Sequence, residues 1–329
     1  MGFLPSRNAS AQHREIFLKL QELEGDRIRD AMDYRFVCSK SPPSARISVV
    51  PPSLTYNVAN ASQNRDRNRY SNVFPWDCTR VRLATINPEK YSDYINASHI
   101  RLPNDQKYIA AQGPLEETIS QFWWMCYNES ERNGNDVVVI GMVTPLTENG
   151  IVKCSSYWPS DINEPMDLSE SLAGDGLISP NSKFSVHLLS QTFDKEGDFI
   201  TTELNLRFDS KVKKVYHLYY YKWADTKVPP SIDPLVSLSN KINQVKESYA
   251  NADDVVPIIH CSAGVGRTGT FIVVDYLIQC MKKTGGIPKD GDIIGDTVSQ
   301  LREQRMMMVQ TIHQYEYLYR ALEQIKKLF

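Results

Sequence analysis

The 329-residue sequence lacks any paired C-x-x-C spacing among its six cysteines, at positions 38, 78, 126, 154, 261 and 280. Together with an N-terminus, MGFLPSRNAS, that has no apolar signal stretch, this reads as reduced thiols in the cytosol or nucleus. Long hydrophobic runs are also missing. Val137 to Val143 and Phe271 to Val274 fall far short of the roughly 20 residues a bilayer requires, so no membrane-spanning segment and no stable membrane association are expected. Nor is there an excess of one charge: 37 Lys and Arg against 39 Asp and Glu leave a net −2. That balance excludes a global field for nucleic acid or an anionic membrane, and any anion site must be local. With 16 Gly and 18 Pro, disorder and collagen-like repeats are excluded as well. The histidines at 13, 99, 187, 217 and 313 show no metal-ligand spacing, and neither metal nor cofactor is expected.

What is present is apolar mass: 41% hydrophobic residues, enough to bury a large core. Four N-x-Ser sequons, at Asn8, Asn60, Asn96 and Asn128, read as chance without a secretion signal. Gly2 and Ser6 fit a myristoylation pattern, but one acyl chain anchors only marginally.

Near-helical apolar spacing predicts an amphipathic helix from Ser10 to about Tyr34, with Gly25 as the point where it would break. Residues 39–64, with two Pro pairs, read as an extended connector. The expected organisation is a segment 1–64 packing on a main domain 65–329. Strands are expected at Val81 to Ile86, Lys107 to Ala111, Asp136 to Val143, Gly150 to Tyr157, Phe184 to Gln191, Ile200 to Phe208, Val215 to Trp223 and Val255 to His260. Helices are expected at Phe122 to Glu131, Leu235 to Tyr249, Thr268 to Lys283, Ile293 to Arg305 and Thr311 to Leu328. Ser160 to Pro180 reads as a solvated acidic loop. The fold class is α/β (α+β), one domain with a twisted mixed sheet flanked by helices.

Chemistry concentrates in residues 255–283, VVPIIHCSAGVGRTGTFIVVDYLIQCMKK, which read as buried strand, glycine-bearing loop and helix. Loop amides at a helix N-terminus form an anion cradle that suits phosphate. Cys261 at the loop entrance would feel that partial positive charge and the Arg267 guanidinium, both of which favour thiolate. A cysteine followed by arginine after five intervening residues arises by chance about 0.3 times in such a chain, so the context carries the weight. Gly264, Gly266 and Gly269 also satisfy G-x-G-x-x-G, with Asp290 downstream in the place of a ribose-binding acid. Only 60 residues follow Gly269, and they hold no run of βα units to complete a dinucleotide-binding sheet.

HCSAGVGRTG resembles the signature loop of the tyrosine-specific protein phosphatases, in a non-receptor form with one catalytic domain. NRYSNV at 68–73 resembles the family's phosphotyrosine-recognition loop. DYINAS at 93–98, YIAAQGP at 108–114 and KCSSYWP at 153–159 resemble its core segments, WAD at 223–225 its acid loop and QTIHQY at 310–315 its glutamine segment. These motifs stand in family order over residues 68–315.

The resemblance implies that Cys261 attacks phosphorus, that Arg267 grips two phosphate oxygens, and that amides of Ser262, Ala263, Gly264, Val265, Gly266 and Arg267 hold the rest. It implies Asp225 as general acid and then base, Thr268 as a hydroxyl donor to the sulfur, compatible with a place at the helix N-cap, and Gln310 with Gln314 as positioners of water. Tyr70 would set a pocket depth that phosphoserine cannot span, and Asn72, where many relatives have Asp, would hold the peptide backbone without charge. His260, Trp223, Glu148 and Lys153 would support these groups. Ala224 departs from the family's usual proline, which should loosen the acid loop. Arg65, Arg67 and Arg69 form either a solvated edge or an attraction for acidic phosphopeptides, with the solvated reading favoured. The expected activity is metal-independent hydrolysis of protein phosphotyrosine. The alternatives are a phosphotyrosine-binding module with impaired chemistry and a dual-specificity phosphatase.

Overall fold

The computed structural model describes residues 7–40, 54–225, 227–249, 252–287 and 291–329. Gly2, Ser6, Asp290 and much of the proline-rich connector lie outside the described residues. The strands are β1 (Arg80–Arg82), β2 (Tyr94–Arg101), β3 (Lys107–Ala111), β4 (Val137–Met142), β5 (Thr147–Glu148), β6 (Ile151–Val152), β7 (Met166–Asp167), β8 (Phe184–Asp194), β9 (Phe199–Phe208), β10 (Lys211–Tyr219) and β11 (Ile258–His260). The α-helices are α1 (Arg7–Lys40), α2 (Ile119–Arg132), α3 (Ser169–Gly174), α4 (Asp233–Glu247), α5 (Gly266–Thr284), α6 (Ile293–Gln304) and α7 (Ile312–Leu328).

Nine strands form one mixed sheet in the order β1-β2-β3-β11-β4-β10-β9-β8-β7, and β5-β6 is a separate hairpin. The centre is parallel: β11 runs parallel to both β3 and β4, and β10 runs parallel to β4. Such strands are covered on both faces and read as nearly continuous apolar runs. In β4, Val137 and Val139 join a core with α1, α4, α5, α6 and α7, while Val138 and Ile140 join one with α2 and its Trp123 and Trp124. The carboxyl ends of β3, β11, β4 and β10 open to one side, where open α/β sheets place their ligands.

Several expectations need correction. α1 is unbroken across Gly25, because Phe17, Leu20 and Ala31 on either side are buried against the body and tertiary packing outweighs the roughly 1 kcal/mol cost of glycine. β2, which the periodicity reading omits, is a buried strand whose polar Asn96 and Ser98 are satisfied internally by Arg305. Gly150 to Tyr157 yields only the two residues of β6. Ser160 to Pro180 contains β7 and α3, and buries Leu172, Leu177 and Ile178. Within residues 54–64, Tyr56, Ala59 and Asn64 are buried, and Asp77 accepts hydrogen bonds from Thr55, Asn57 and Val58.

Candidate active site

Three of the parallel strands, β11, β4 and β10, each deliver one part of the site from the carboxyl end. β11 ends at His260, and the chain turns through 261–265 into α5, whose N-cap, Val265, offers no side-chain cap. The first-turn amides are therefore left for other acceptors. The turn depends on Gly264 at φ +73, where a Cβ would lie 2.1 Å from the Ala111 carbonyl oxygen. Only glycine allows the loop to lie this close to β3.

Cys261 Sγ accepts from the Gly264 amide at 3.2 Å. Burial pushes the thiol up, but the Arg267 guanidinium, the Thr268 hydroxyl and amide, and the Gly264 amide outweigh it and leave the group below its ordinary value. The Thr268 hydroxyl makes no other hydrogen bond, and Thr268 lies inside α5 rather than at its N-cap. His260 is fully buried between the Tyr157 hydroxyl at 2.7 Å and the Cys261 carbonyl oxygen at 3.2 Å. Burial lowers its pKa to about 4. The neutral ring therefore donates from Nδ1 to the carbonyl and accepts at Nε2, which orients the loop and supplies no base.

Arg267 is buried, and its Nη1 donates to the Trp223 carbonyl oxygen at 2.8 Å. Its Nε and Nη2 make no hydrogen bond, although Nη2 lies 3.3 Å from Asp225 Oδ1. A buried guanidinium edge with two unaccepted N–H groups fits a bidentate oxyanion.

The loop after β10 carries Trp223 and Asp225. Trp223 is buried and donates from Nε1 to the Lys227 carbonyl oxygen at 2.9 Å. The β5-β6 hairpin after β4 supplies Glu148 and Lys153. Glu148 Oε1 accepts the Asp225 amide at 2.8 Å, and its Oε2 lies 3.8 Å from Arg267. Lys153 Nζ donates to Asp225 Oδ2 at 2.8 Å, and that bond raises the lysine's pKa.

Tyr70, Asn72, Lys153, Asp225, Cys261, Ser262, Ala263, Gly266, Arg267 and Gln310 line one pocket. Val73, not expected there, also lines it. Ser262 donates to the Lys153 carbonyl oxygen at 2.7 Å and meets the Tyr70 hydroxyl at 2.8 Å, tying three segments together. Gln314 does not line the pocket. It is buried as the N3 partner of the Thr311 capping box, and its Oε1 accepts from the amides of Gln310 and Thr311.

Two arginines brace the site from positions that carry no motif. Arg305 is fully buried and donates to the carbonyl oxygens of Gly264 at 2.8 Å and Ala263 at 3.0 Å. Arg69 is neither a solvated edge nor a peptide attractor: it donates to the carbonyl oxygens of Gly113 and Pro114. No local signal marks either, since an arginine in a polar segment reads as surface. Among the described residues, no group of three or more His, Cys, Asp or Glu is arranged to hold a metal ion.

A sequence profile described as protein-tyrosine phosphatase matches residues 64–324. The chain belongs to the protein-tyrosine phosphatase family. This phosphatase-family chain is 38% identical to mouse (Mus musculus) tyrosine-protein phosphatase non-receptor type 20 over 280 residues, covering 82% of this chain and 56% of the relative. It is 33% identical to tyrosine-protein phosphatase 1 of Schizosaccharomyces pombe over 319 residues, covering 94% of this chain and 50% of that one. The chain thus spans about half the length of these relatives. A solved structure of PTPN18 in complex with HER2 phospho-peptides superposes with a TM-score of 0.75 at 28% identity, covering 95% of this chain and 99% of that one. No described helix is long and apolar enough to cross a membrane.

Proposed function

We propose that this chain hydrolyses phosphotyrosine in proteins through a cysteinyl-phosphate, with 65–329 as the catalytic unit and 1–64 packed on it. The observation that carries the reading is the pair of unaccepted Arg267 N–H groups beside a thiol held below its ordinary value at a helix N-terminus.

In the first half, Cys261 Sγ attacks phosphorus. The S–P bond forms, the P–O bond to tyrosine breaks, and the Asp225 carboxyl passes its proton to the leaving oxygen. That proton matters because a phenolate, with a pKa near 10, leaves poorly unassisted. In the second half, water positioned by Gln310 attacks phosphorus and gives its proton to Asp225. The S–P bond breaks, its electron pair returns to Sγ, and phosphate departs. Arg267 and the amides of 262–267 carry the charge of the transferring group throughout. Gln314 supports Gln310, whose amide it accepts.

Tyr70 and Asn72 line the pocket with Cys261, and a depth set by Tyr70 would favour the long phosphotyrosyl side chain over phosphoserine or phosphothreonine. The PTPN18 complex with phospho-peptides supports phosphotyrosyl proteins as the partner class. A thiolate nucleophile needs a reducing compartment, so a cytoplasmic or nuclear site, acting in signal transduction, belongs to the same proposal.

The binding-module alternative rests on Ala224. Against it, Asp225 lines the pocket next to Arg267 despite the missing proline. The test is turnover of p-nitrophenyl phosphate and of matched phosphotyrosine and phosphothreonine peptides, with EDTA present. Wild type should turn over the aryl phosphate and the phosphotyrosine peptide, and Cys261→Ser should be silent. A silent wild type that still binds phosphopeptide would establish the module, and equal rates on the two peptides would remove the tyrosine preference.

A further inference from the structure

The loop joining α6 to α7, Arg305 to Thr311, delivers Gln310 to the pocket and does so in a strained backbone. Met307 and Val309 both have left-handed φ values, +62° and +58°. Neither is glycine, and a β-branched residue there is an outlier that persists only where its surroundings over-determine it.

The restraints can be traced group by group. The Val309 amide donates to the Val265 carbonyl oxygen at 3.1 Å, directly behind the signature loop. The Gln310 amide donates to Gln314. The carbonyl oxygens of Met308 and Val309 accept from Arg302 Nε and Nη2 at 3.0 and 2.9 Å. The Met307 amide donates to Glu24 Oε1 at 2.9 Å.

Those last contacts lead away from the catalytic sheet to α1. Phe17, Gln21 and Glu24, at i, i+4 and i+7, share one helical face. Phe17 lies under the Arg302 guanidinium at 5.4 Å, Gln21 accepts from Arg302 Nη1 at 3.4 Å, and Glu24 takes the Met307 amide. Glu24 is 3% exposed and Arg302 fully buried. The helix is pinned at both ends of this contact: Ser10 and Arg14 bond to Glu316 of α7, and Arg27 bonds to Glu303 of α6.

A buried carboxylate that accepts one backbone amide, with the Arg27 guanidinium 3.8 Å from its other oxygen, is an expensive way to attach a helix, and a side chain of similar volume without charge would pack as well. Its specific effect is to fix the Met307 backbone three residues before Gln310. We infer that Glu24 is a positioning residue for the second half of the reaction: α1 acts through Met307 and Arg302 to hold Gln310 where it directs water at the cysteinyl-phosphate. This rests on the proposed role of Gln310. The step concerned forms the bond from water oxygen to phosphorus and breaks S–P, with the proton passing to Asp225 and the electron pair to Cys261. Formation of the cysteinyl-phosphate does not use Gln310, so Glu24 should not affect it.

The experiment is stopped-flow release of p-nitrophenol from p-nitrophenyl phosphate by the full chain, giving separate rate constants for the two halves. Glu24→Ala should leave the first half within about twofold and slow the second about five- to tenfold, the loss of one charge-assisted hydrogen bond. The burst of p-nitrophenol should grow accordingly. Glu24→Gln keeps an acceptor for the Met307 amide and should restore most of the second half. Should Glu24→Ala fail to fold, Gln21→Ala loses only a bond at the edge of the cluster and should show the same selectivity with smaller size. Equal slowing of both halves, no slowing of either, or no rescue by glutamine overturns the assignment. Gln310→Ala, measured alongside, separates the two readings. If it slows neither half selectively the role of Gln310 fails, whereas selective slowing there with none in the α1 variants sinks Glu24 alone.

Discussion

At the scale of single residues the site turns on whether a buried sulfur carries charge. Burial alone would hold Cys261 protonated, and only the sum of one guanidinium, one hydroxyl and two amides reverses that. The prediction is that alkylation of Cys261 by iodoacetamide follows a titration centred below that of a free thiol. Thr268→Ala should move the midpoint up modestly and Arg267→Ala further. A wild-type midpoint at the free-thiol value would leave the reaction without a nucleophile. The same shift has a sign for folding. A depressed acid contributes stability that is complete above its unfolded value and is lost as pH falls through the folded one. Cys261 and Arg267 were legible in sequence because phosphate chemistry fixes both the residue types and their spacing across strand, loop and helix. Glu24, Arg69, Arg302 and Arg305 were not. A charged residue reads as surface until the groups that satisfy it are seen, and here those groups are backbone atoms, far away in sequence for Glu24, Arg69 and Arg305 and across a tight loop for Arg302.

Among elements, the acid loop shows how a family motif tolerates a local departure. Without proline at 224, the loop is held by the Trp223 carbonyl on Arg267, the Trp223 indole on Lys227 and the Asp225 amide on Glu148. Proline at a compatible φ removes conformational freedom worth about 0.4–1 kcal/mol. Ala224→Pro should therefore favour the arrangement with Asp225 in the pocket by about two- to fivefold. Turnover should rise by no more than that, with cysteinyl-phosphate binding geometry unchanged, and a fall in turnover would show that residue 224 needs freedom proline denies. The elements that were read well, β3, β4, α5 and α7, have strong apolar periodicity and clear turn signals. β2 leaves no signal in the sequence because Asn96, Ala97 and Ser98 have weak strand propensity, and cross-strand pairing with β1 and β3 together with the Arg305 fork makes them a strand. The Gly25 break was expected from propensity, and packing along one helix face overruled it.

For the whole molecule, the mixed sheet flanked by helices was legible from the alternation of strand and helix signals, whereas the order of strands was not, because pairing partners far apart in sequence leave no local trace. One consequence of that order is the burial of two histidines on the two strands that flank β4. His217 of β10 and His260 of β11 pack around Tyr157, with ring centroids 5.3 and 5.4 Å away. Burial pulls them down to about 3 and about 4. Between pH 6.5 and about 4 the unfolded chain binds protons at these positions that the folded chain refuses, so stability is complete above 6.5 and falls as pH drops through that window. Each histidine contributes a slope of up to about 1.4 kcal/mol per pH unit. The two ring nitrogens of His217 have no hydrogen-bond partner, unlike those of His260. His217→Phe should then keep the aromatic packing against Trp158, remove about half of that acid slope, and leave stability at pH 7 equal or higher. Denaturant midpoints measured from pH 4 to pH 8 decide it. An unchanged slope would mean that His217 is protonated in the fold, and a large loss at neutral pH would mean that its nitrogens are bound after all.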